Sequence, residues 1–559
     1  MLIRGPIRLI GKGEEVTISS SSKDEELKGK LSPKPVIANK KDKSAMKKFL
    51  IFTITAFVLA VAIEPVYARS QTDKTDKFLN GLVKNGYNVQ EGLVDYPDMA
   101  TLGCQCTLPT AYAYNPSSPY GIFVLPPAPN QDSNIKNPYS EWYYEDGLYP
   151  EGYSWFVRQR PDEAIVYIGT TPPEMDYFSL IAYIYDRRHD GFTFPSCVNT
   201  DDEGYEHNRA TPPSAVDRFP IYASLGDSIN NMTIKVAGGK DAPFNEPVVV
   251  IIATDQEVEQ KIRKTLLKAG FPNQIINTLA VSPSIVRLGV DDVSDTLNYA
   301  WRLHSESTTE VENYKASPGR IFRVSPVPAI PSSDIIPLET PNLRIRGTGT
   351  DEMNLLPALD ALGEAIVAKY PGYDAEKIAI MPWPEGYHCI ENEQSCLADN
   401  RDDAAFASAF NASTLNLLQG DTTLDPNTFY VAYGVNHRKT GKATYTSVTV
   451  VNWRDKVSPA SFKNSDMIGS AKSYLDPQDP QIDPATADKL YAWKIARNCD
   501  DIDPPYCREI GVSPCTQGVG EGDPISFVFR AYLEPETQTG PAINEVIVDR
   551  VIKFTKTQP

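Results

Sequence analysis

Gly226-Asp227-Ser228 places a serine on a glycine bend directly after an apolar strand, a setting in which serine nucleophiles occur. A nucleophilic serine needs a histidine base nearby and hydrogen-bond donors that stabilise the oxyanion. The chain has five histidines, and no two of them stand at a spacing typical of a metal site. Serine hydrolysis is therefore the first chemistry to consider, with Ser228 as the nucleophile.

This tripeptide is similar to the nucleophile motif of the GDS-type esterases, which also have an aspartate three residues before the catalytic histidine. The resemblance implies that Asp186 and His189 would assist Ser228, because no other pair has this spacing. In that family the serine motif comes early and precedes a helix, and the Asp/His pair lies far downstream. Here the pair lies upstream, and residues 230–235 have the pattern of a strand. We therefore predict a tight β-turn and a Ser228 that is not a nucleophile.

A second candidate loop, Arg346–Thr350, carries two glycines between a strand and a helix. Such loops can hold phosphate on their backbone amides. The loop has no Lys-Ser/Thr after its glycines and no G-x-G-x-x-G pattern, so it meets neither nucleotide fingerprint. A helix-capping turn is the prediction. His437, beside Arg438 and Lys439 at a hairpin tip, is predicted to be a solvated turn residue rather than a base.

The acidic segment 199–204 has oxygen-bearing side chains at alternate positions and glycine at the sixth, as in the first half of a calcium loop. The twelfth position is Ala210 rather than glutamate, which excludes an EF-hand. The sequence leaves open a looser Ca²⁺ site through Asp201 and Glu203, or a solvated acidic loop. A structural Ca²⁺ is the one cofactor that the sequence suggests.

The eight cysteines favour disulfides over metal, because their number is even and no pair has C-x₂-C spacing. Cys389 with Cys396, and two of the last three cysteines, are close enough to close local loops. Cys104 and Cys106 are too close to bond to one another easily, so each should reach a distant partner. The set is Cys104, Cys106, Cys197, Cys389, Cys396, Cys499, Cys507 and Cys515.

Residues 46–68 have the form of a signal peptide, with two lysines, the apolar run 49–63 and cleavage after Ala68. This pattern predicts an extracytoplasmic protein that is secreted, periplasmic or at the cell surface, with no stable membrane span after cleavage. Residues 1–45 form a polar leader, and Met46 is a possible true start. The alternative is a cytoplasmic tail with 49–63 as an uncleaved anchor, although that run is short for a span.

The formal net charge of −18 repels polyanions, so nucleic acid is not an expected partner. The partners are otherwise unknown. The clusters Trp142-Tyr143-Tyr144 and Trp383 with Tyr387 could stack on sugars, but aromatic residues of a β-rich protein more often belong to the core.

The apolar patterns predict an α+β fold, rich in strands, with mixed and largely antiparallel sheets and disulfide bonds. A short exposed helix is predicted within residues 70–92, around Phe78-Leu79 and Leu82. Two further helices, at 254–270 and 355–370, each lie between predicted strands and give two β-α-β-type units. Segments 429–434 and 443–451 are predicted to pair as a hairpin.

The predicted domains are an extended Pro/Tyr-rich region at 69–150, an α+β module at 151–325, a Pro-rich link at 326–341 and a second α+β module at 342–559. The two helical units lie about 100 residues apart, which suggests an internal duplication. Residue identity between the halves is too low to establish it.

Four segments together resemble a set found in uncharacterised exported microbial proteins. They are Tyr222–Asp227, Arg346–Thr350, Tyr433–His437 with Thr440–Tyr445, and Arg530–Pro535. The resemblance covers roughly residues 120–555 and implies a single globular unit. No activity is known for that group, so it implies none here. The sequence thus favours a non-enzymatic binding or structural protein, with an esterase-like secreted serine hydrolase as the alternative.

Overall fold

The computed structural model describes residues 71–557 except 108–113, 117, 240, 306–307, 409, 412–415, 418–421, 456, 476–481, 501–505 and 513–514. The polar leader and the signal peptide lie outside the described residues, so cleavage after Ala68 stays a prediction. In the part of the chain that is described, no helix is long and apolar enough to cross a membrane.

The described helices are mostly short, and four of them exceed seven residues. They are α1 (71–84), α2 (Met99–Cys104), α3 (Ser140–Glu145), α4 (Gln256–Ala269), α5 (Thr308–Lys315), α6 (Leu356–Lys369), α7 (Gly386–Asn392), α8 (His437–Thr440), α9 (Asn464–Met467) and α10 (Pro484–Ala487).

The strands of the first half are β1 (Tyr87–Glu91), β2 (Leu93–Asp95), β3 (Tyr120–Val124), β4 (Ala164–Thr170), β5 (Tyr177–Arg188), β6 (Cys197–Thr200), β7 (Glu206–Arg209), β8 (Arg218–Phe219), β9 (Ala223–Ser224), β10 (Ile229–Asn230), β11 (Pro247–Ala253), β12 (Ile276–Ala280), β13 (Thr296–His304) and β14 (Arg320–Pro326). Those of the second half are β15 (Tyr373–Ile378), β16 (Ile380–Pro382), β17 (Asp403–Ser408), β18 (Phe410–Asn411), β19 (Asn416–Leu417), β20 (Thr428–Val435), β21 (Tyr445–Asn452), β22 (Val457–Lys463), β23 (Leu490–Ala496), β24 (Cys507–Glu509), β25 (Ile525–Tyr532) and β26 (Arg550–Lys556).

The first half has three layers: helices, an outer sheet and an inner sheet. The outer sheet has the order β1-β14-β4-β11-β12, and the inner sheet has the order β10-β5-β13-β3-β2. Successive residues of a strand face opposite sides, so Val250 and Ile252 of β11 pack towards the inner sheet. Val249 and Ile251 pack on the helical side, against apolar residues of α1 and α4.

The second half repeats this arrangement. Its outer sheet has the order β15-β26-β20-β23-β24, and its inner sheet, taken in the same sense, has the order β22-β21-β25-β17-β16. One core lies between the two sheets, and a second lies between the outer sheet and α6. Helix α6 thus takes the place of α1.

The two strand orders match position by position, and among the described strands of each outer sheet the only parallel pair is the last one. The register also matches: Arg302 lies opposite Ser179 on β5, and Arg530 lies opposite Ser447 on β21. The described residues therefore contain an internal duplication, which sequence identity alone left open. The predicted domain limits, including the link at 326–341, stay predictions.

The halves meet through equivalent strands. The rings of Tyr177 and Tyr532 are in tilted contact with centroids 4.7 Å apart, and His304 stacks on Tyr445 with centroids 3.4 Å apart. Tyr177 is the equivalent of Tyr445, and His304 is the equivalent of Tyr532, because they hold the same register positions. The two contacts therefore join equivalent positions of the two halves, as an approximate two-fold axis between the halves requires.

The predicted α+β class with mostly antiparallel sheets and disulfides is confirmed. Strands β11 and β12 are parallel and flank α4, as a β-α-β unit requires. Helix α6 differs, because a 3₁₀ turn at Met353–Leu355 precedes it and β15 then pairs antiparallel with β26.

Two local predictions are wrong. Segments β20 and β21 do not form a hairpin, because β20 belongs to the outer sheet and β21 to the inner sheet. Their connection crosses between the layers. Helix α1 is not an exposed helix either, because Phe78 and Leu82 are buried against the outer sheet.

The cysteines form four disulfides: Cys104–Cys515, Cys106–Cys197, Cys389–Cys396 and Cys499–Cys507. The predicted local loops and the distant partners of Cys104 and Cys106 are confirmed. Four disulfides indicate an oxidising environment outside the cytosol.

Candidate ligand-binding site

Gly226-Asp227-Ser228 lies in a break between β9 and β10, which both pair with β5. Five steps from Ser224 to Ile229 cover only three steps on β5, from Tyr183 to Leu180, so two extra residues bulge out. The equivalent edge strand of the second half, β22, is continuous and has a smaller irregularity there, with one extra residue between Val457 and Ala460. The segment is thus a bulge in an edge strand, not the predicted tight turn.

Ser228 is hydrogen-bonded to an aspartate rather than to a histidine. Its Oγ donates to Asp402, which also accepts from the Nδ2 of Asn230 at 2.9 Å and from the hydroxyl of Tyr177 at 3.1 Å. Burial raises the pKa of Asp402. Within the described residues, no hydrogen bond joins Ser228 to a histidine.

The other two residues of the candidate catalytic set lie in different surroundings. Asp186 is buried and accepts from the Nε of Arg218 at 2.7 Å. The side chain of His189 is half exposed, and its Nδ1 lies 3.7 Å from Glu393. The structure does not assemble Ser228, Asp186 and His189 into a site, and the prediction that Ser228 is not a nucleophile stays a prediction.

A cavity of about 220 Å³ opens beside this bulge. It is lined by the bulge with β10, by Thr233 and Lys235 just after β10, by β12, and by the extended segment 340–344 that precedes the glycine loop, with Ala182 of β5. We call it the edge pocket. Its apolar lining residues are Ala182, Leu225, Ile229, Leu279, Ala280, Pro341 and Leu343.

The charged residues of the edge pocket are Asp227, Lys235 and Arg344. Asp227 is already paired, because its Oδ1 accepts from the Nε of Arg401 at 2.8 Å and its Oδ2 accepts from the backbone amide of Arg344 at 2.5 Å. Sequence reasoning missed Arg344, Lys235 and Asp402 as site residues, since none of them stands in a recognisable motif.

Arg344 is held in place but incompletely paired. Its Nη2 donates to the carbonyl oxygen of Ser228 at 3.0 Å, while the nearest oxygens of Asp227 and Asp402 lie 3.6 Å from its guanidinium. These distances exceed a hydrogen bond. Lys235 is exposed, and its ammonium has no partner among the described residues.

The glycine loop Arg346–Thr350 does hold an anion on its amides, but the anion belongs to the chain. The amides of Thr348 and Gly349 donate to Glu545 at 2.9 and 2.6 Å, and the ammonium of Lys442 lies 2.6 Å from the same carboxylate. Burial acts against ionisation, yet Lys442 and the two amides lower the pKa of Glu545 to about 2. The loop is therefore occupied and offers no free phosphate site.

The prediction that His437 is a solvated turn residue is wrong, because its side chain is 3 % exposed. Its Nδ1 lies 2.9 Å from Glu352 and its Nε2 lies 3.8 Å from Asp549. Burial alone lowers the pKa of His437, but the two carboxylates outweigh burial and raise it to about 10. The interlayer connection carries His437 into the core, whereas a hairpin tip would have left it in water.

The two calcium candidates, Asp201 and Glu203, lie in different surroundings. Asp201 accepts from the backbone amides of Glu203 and Tyr205 at 3.1 and 2.8 Å, and its other oxygen lies 2.8 Å from His207. Glu203 is exposed. No group of three metal-binding side chains occurs in the described part of the chain, and a Ca²⁺ site stays an untested prediction.

No family model matches this chain, and no curated protein matches it. Two solved structures are similar to it at 10% sequence identity. An uncharacterised protein from Burkholderia cenocepacia aligns over 86% of this chain and 87% of its own, with a TM-score of 0.31. The VPA0106 protein from Vibrio parahaemolyticus aligns over 75% of this chain and 95% of its own, with a TM-score of 0.29. At these TM-scores neither likeness assigns a fold or a function.

Proposed function

We propose that this chain is an exported, non-enzymatic binding protein, secreted, periplasmic or at the cell surface, and that the edge pocket is its ligand site. One observation carries the proposal. The pocket is walled by apolar side chains and contains a few fixed polar groups, as small-molecule sites generally do. The serine beside it is bonded to buried Asp402 and has no histidine partner among the described residues.

A fragment screen on the purified protein tests the binding role. Ala280 lines the edge pocket, so Ala280→Trp should fill it and abolish the thermal shift that a bound fragment produces. Ala316, an exposed residue outside the pocket, supplies the matched control Ala316→Trp. Fragments that stabilise the wild type and both variants equally would place binding elsewhere and count against the proposal.

A panel of generic esters tests the hydrolase alternative on the same preparation. We expect no turnover above background from either the wild type or Ser228→Ala. Hydrolysis that disappears in a folded Ser228→Ala variant would make the protein an enzyme and refute the non-enzymatic function.

A further inference from the structure

The edge pocket carries a local excess of positive charge in a protein whose formal net charge is −18. The single carboxylate among its lining residues, Asp227, is neutralised by Arg401, which lies outside the lining. Lys235 has no ionic partner among the described residues, and Arg344 faces Asp227 and Asp402 at 3.6 Å without a hydrogen bond from its guanidinium to either. Such a pair favours an anionic ligand.

The guanidinium of Arg344 has hydrogen-bond donors that the described residues do not use. Its guanidinium donates one hydrogen bond within the described residues, from Nη2 to the carbonyl oxygen of Ser228. Its Nε is buried and lacks a hydrogen-bond partner there. The Nε faces Asp227, whose Oδ2 lies 3.6 Å away, so it is not the donor that a ligand would reach. The Nη1 is not buried and has no hydrogen-bond partner among the described residues, so a carboxylate ligand could accept a charge-assisted hydrogen bond from it.

The remaining walls restrict what else the ligand can be. Leu225, Ile229, Leu279 and Leu343 give the pocket an apolar side that a free phosphate ion would not use. The volume of about 220 Å³ is moderately larger than the cavity of about 150 Å³ that accepts benzene. The space therefore suits one small ring or a branched chain together with a carboxylate.

We propose that the edge pocket binds a small monocarboxylate with an apolar body of about six or seven carbon atoms, a size taken from the benzene cavity. This rests on the proposed function, because it names the ligand class of the same site. The carboxylate contacts Arg344 and Lys235, and the apolar body packs against β12 and segment 340–344.

Isothermal titration calorimetry with benzoate as the probe tests this, with neutral benzamide and inorganic phosphate as comparison ligands. We expect benzoate to bind more tightly than benzamide, and phosphate not to bind measurably. Arg344→Gln should weaken benzoate binding by about tenfold or more, the usual effect of losing a charge-assisted hydrogen bond. Lys235→Gln should weaken it by about two- to threefold, because an exposed charge contributes less.

Lys264, an exposed lysine on α4 outside the pocket lining, provides the matched control, and Lys264→Gln should leave benzoate affinity unchanged. Circular dichroism checks that Arg344→Gln is folded. Lys235 is exposed and its side chain is unpaired among the described residues, so its variant keeps the test decisive if Arg344→Gln does not fold.

The outcomes separate this inference from the function on which it rests. Equal binding of benzoate and benzamide that Ala280→Trp abolishes would overturn the carboxylate and keep the binding site. Benzoate affinity that is unchanged in both glutamine variants would likewise overturn the carboxylate contacts alone. If none of the three ligands binds, while fragments bind to the wild type and not to Ala280→Trp, only the ligand class is overturned. If no fragment binds either, both the ligand class and the binding function are overturned.

Discussion

His437 and Glu352 join α8 to the segment before α6 through an ion pair in which both side chains are nearly inaccessible to water. Glu352 also accepts hydrogen bonds from the hydroxyl of Thr440 and from the backbone amide of Ile547, the latter at 3.1 Å. Removing one partner of such a pair leaves the other charge buried and uncompensated.

We expect His437→Gln to lower the free energy of unfolding by about 3–5 kcal/mol at pH 6. The pKa of His437 is raised from 6.5 to about 10 in the folded protein. Its contribution is therefore complete below pH 6.5 and disappears as the pH rises towards 10, because the unfolded chain releases the proton first. Denaturant unfolding at pH 6, 8 and 10 should show the gap between wild type and variant closing.

His189 provides the control for that experiment, since its side chain is half exposed and lies 3.7 Å from an equally exposed Glu393. His189→Gln should change stability by less than about 1 kcal/mol at each pH. A gap for His437→Gln that stays constant from pH 6 to 10 would contradict the assigned ion pair.

Gly347 and Gly349 share a left-handed backbone but differ in the space around them. Their φ angles are +90° and +79°, which L-residues with a Cβ adopt at a cost of about 1–2 kcal/mol. A Cβ on Gly347 would lie 2.7 Å from Glu545, whereas a Cβ on Gly349 would meet open space. We expect Gly347→Ala to destabilise the protein more than Gly349→Ala in thermal unfolding. Equal losses would mean that Glu545 does not occupy the loop.

Motif reasoning found the segments around the site but not their chemistry. It singled out Ser228 and the loop 346–350, and each is hydrogen-bonded to a buried carboxylate, Asp402 and Glu545 respectively. It could not identify Asp402 as the partner of Ser228 or Glu545 as the anion bound by the loop, because both are remote from those segments in sequence. Polar partners that are remote in sequence become visible only when the topology is known.

Helix α1 shows how an element can be placed correctly and its burial misjudged. The pattern located its apolar residues, but the sheet that covers them includes strands more than 200 residues further along. Strand patterns have the same limit. The local sequence identifies β20 and β21 as strands, but it does not indicate whether two consecutive strands pair in one sheet or lie in two sheets that pack face to face. The N-cap of α4, by contrast, is a local signal: the side chain of Asp255, at the start of the predicted helix 254–270, accepts from the backbone amide of Val258 at 2.8 Å.

Phe78→Ala on α1 should cost about 3–5 kcal/mol, because its buried ring would leave a cavity between the helix and the outer sheet. Val83 on the same helix is 61 % exposed, and Val83→Ala should cost less than about 0.5 kcal/mol. Denaturant unfolding of the two variants makes the comparison. Similar small losses would mean that α1 does not pack on the sheet.

The described part of the chain contains two copies of one three-layer arrangement, joined through buried polar contacts. Asp402 of the second half accepts hydrogen bonds from Ser228, Asn230 and Tyr177 of the first half. Parting the halves would leave these groups without partners in an apolar surface, which is costly.

We therefore expect the halves to unfold together, with a single heat-absorption peak in scanning calorimetry. Asp402→Ala should shift that peak to lower temperature, because it removes the buried acceptor that Ser228, Asn230 and Tyr177 share. Two resolved peaks for the wild type would show that each half is stable by itself and that their contact contributes little.

The connectivity of the cysteines constrains the order in which the chain can be oxidised as it emerges from its N-terminus. Cys104 and Cys106 emerge together, and Cys197 is the next thiol to follow, although only Cys106 is its native partner. Cys104 must wait 411 residues for Cys515, the last cysteine of the chain. A wrong Cys104–Cys197 bond can thus form long before the right one exists, and it can be corrected only by thiol exchange. Maturation should accordingly need a disulfide isomerase in addition to the oxidant that accepts the electrons of the eight thiols.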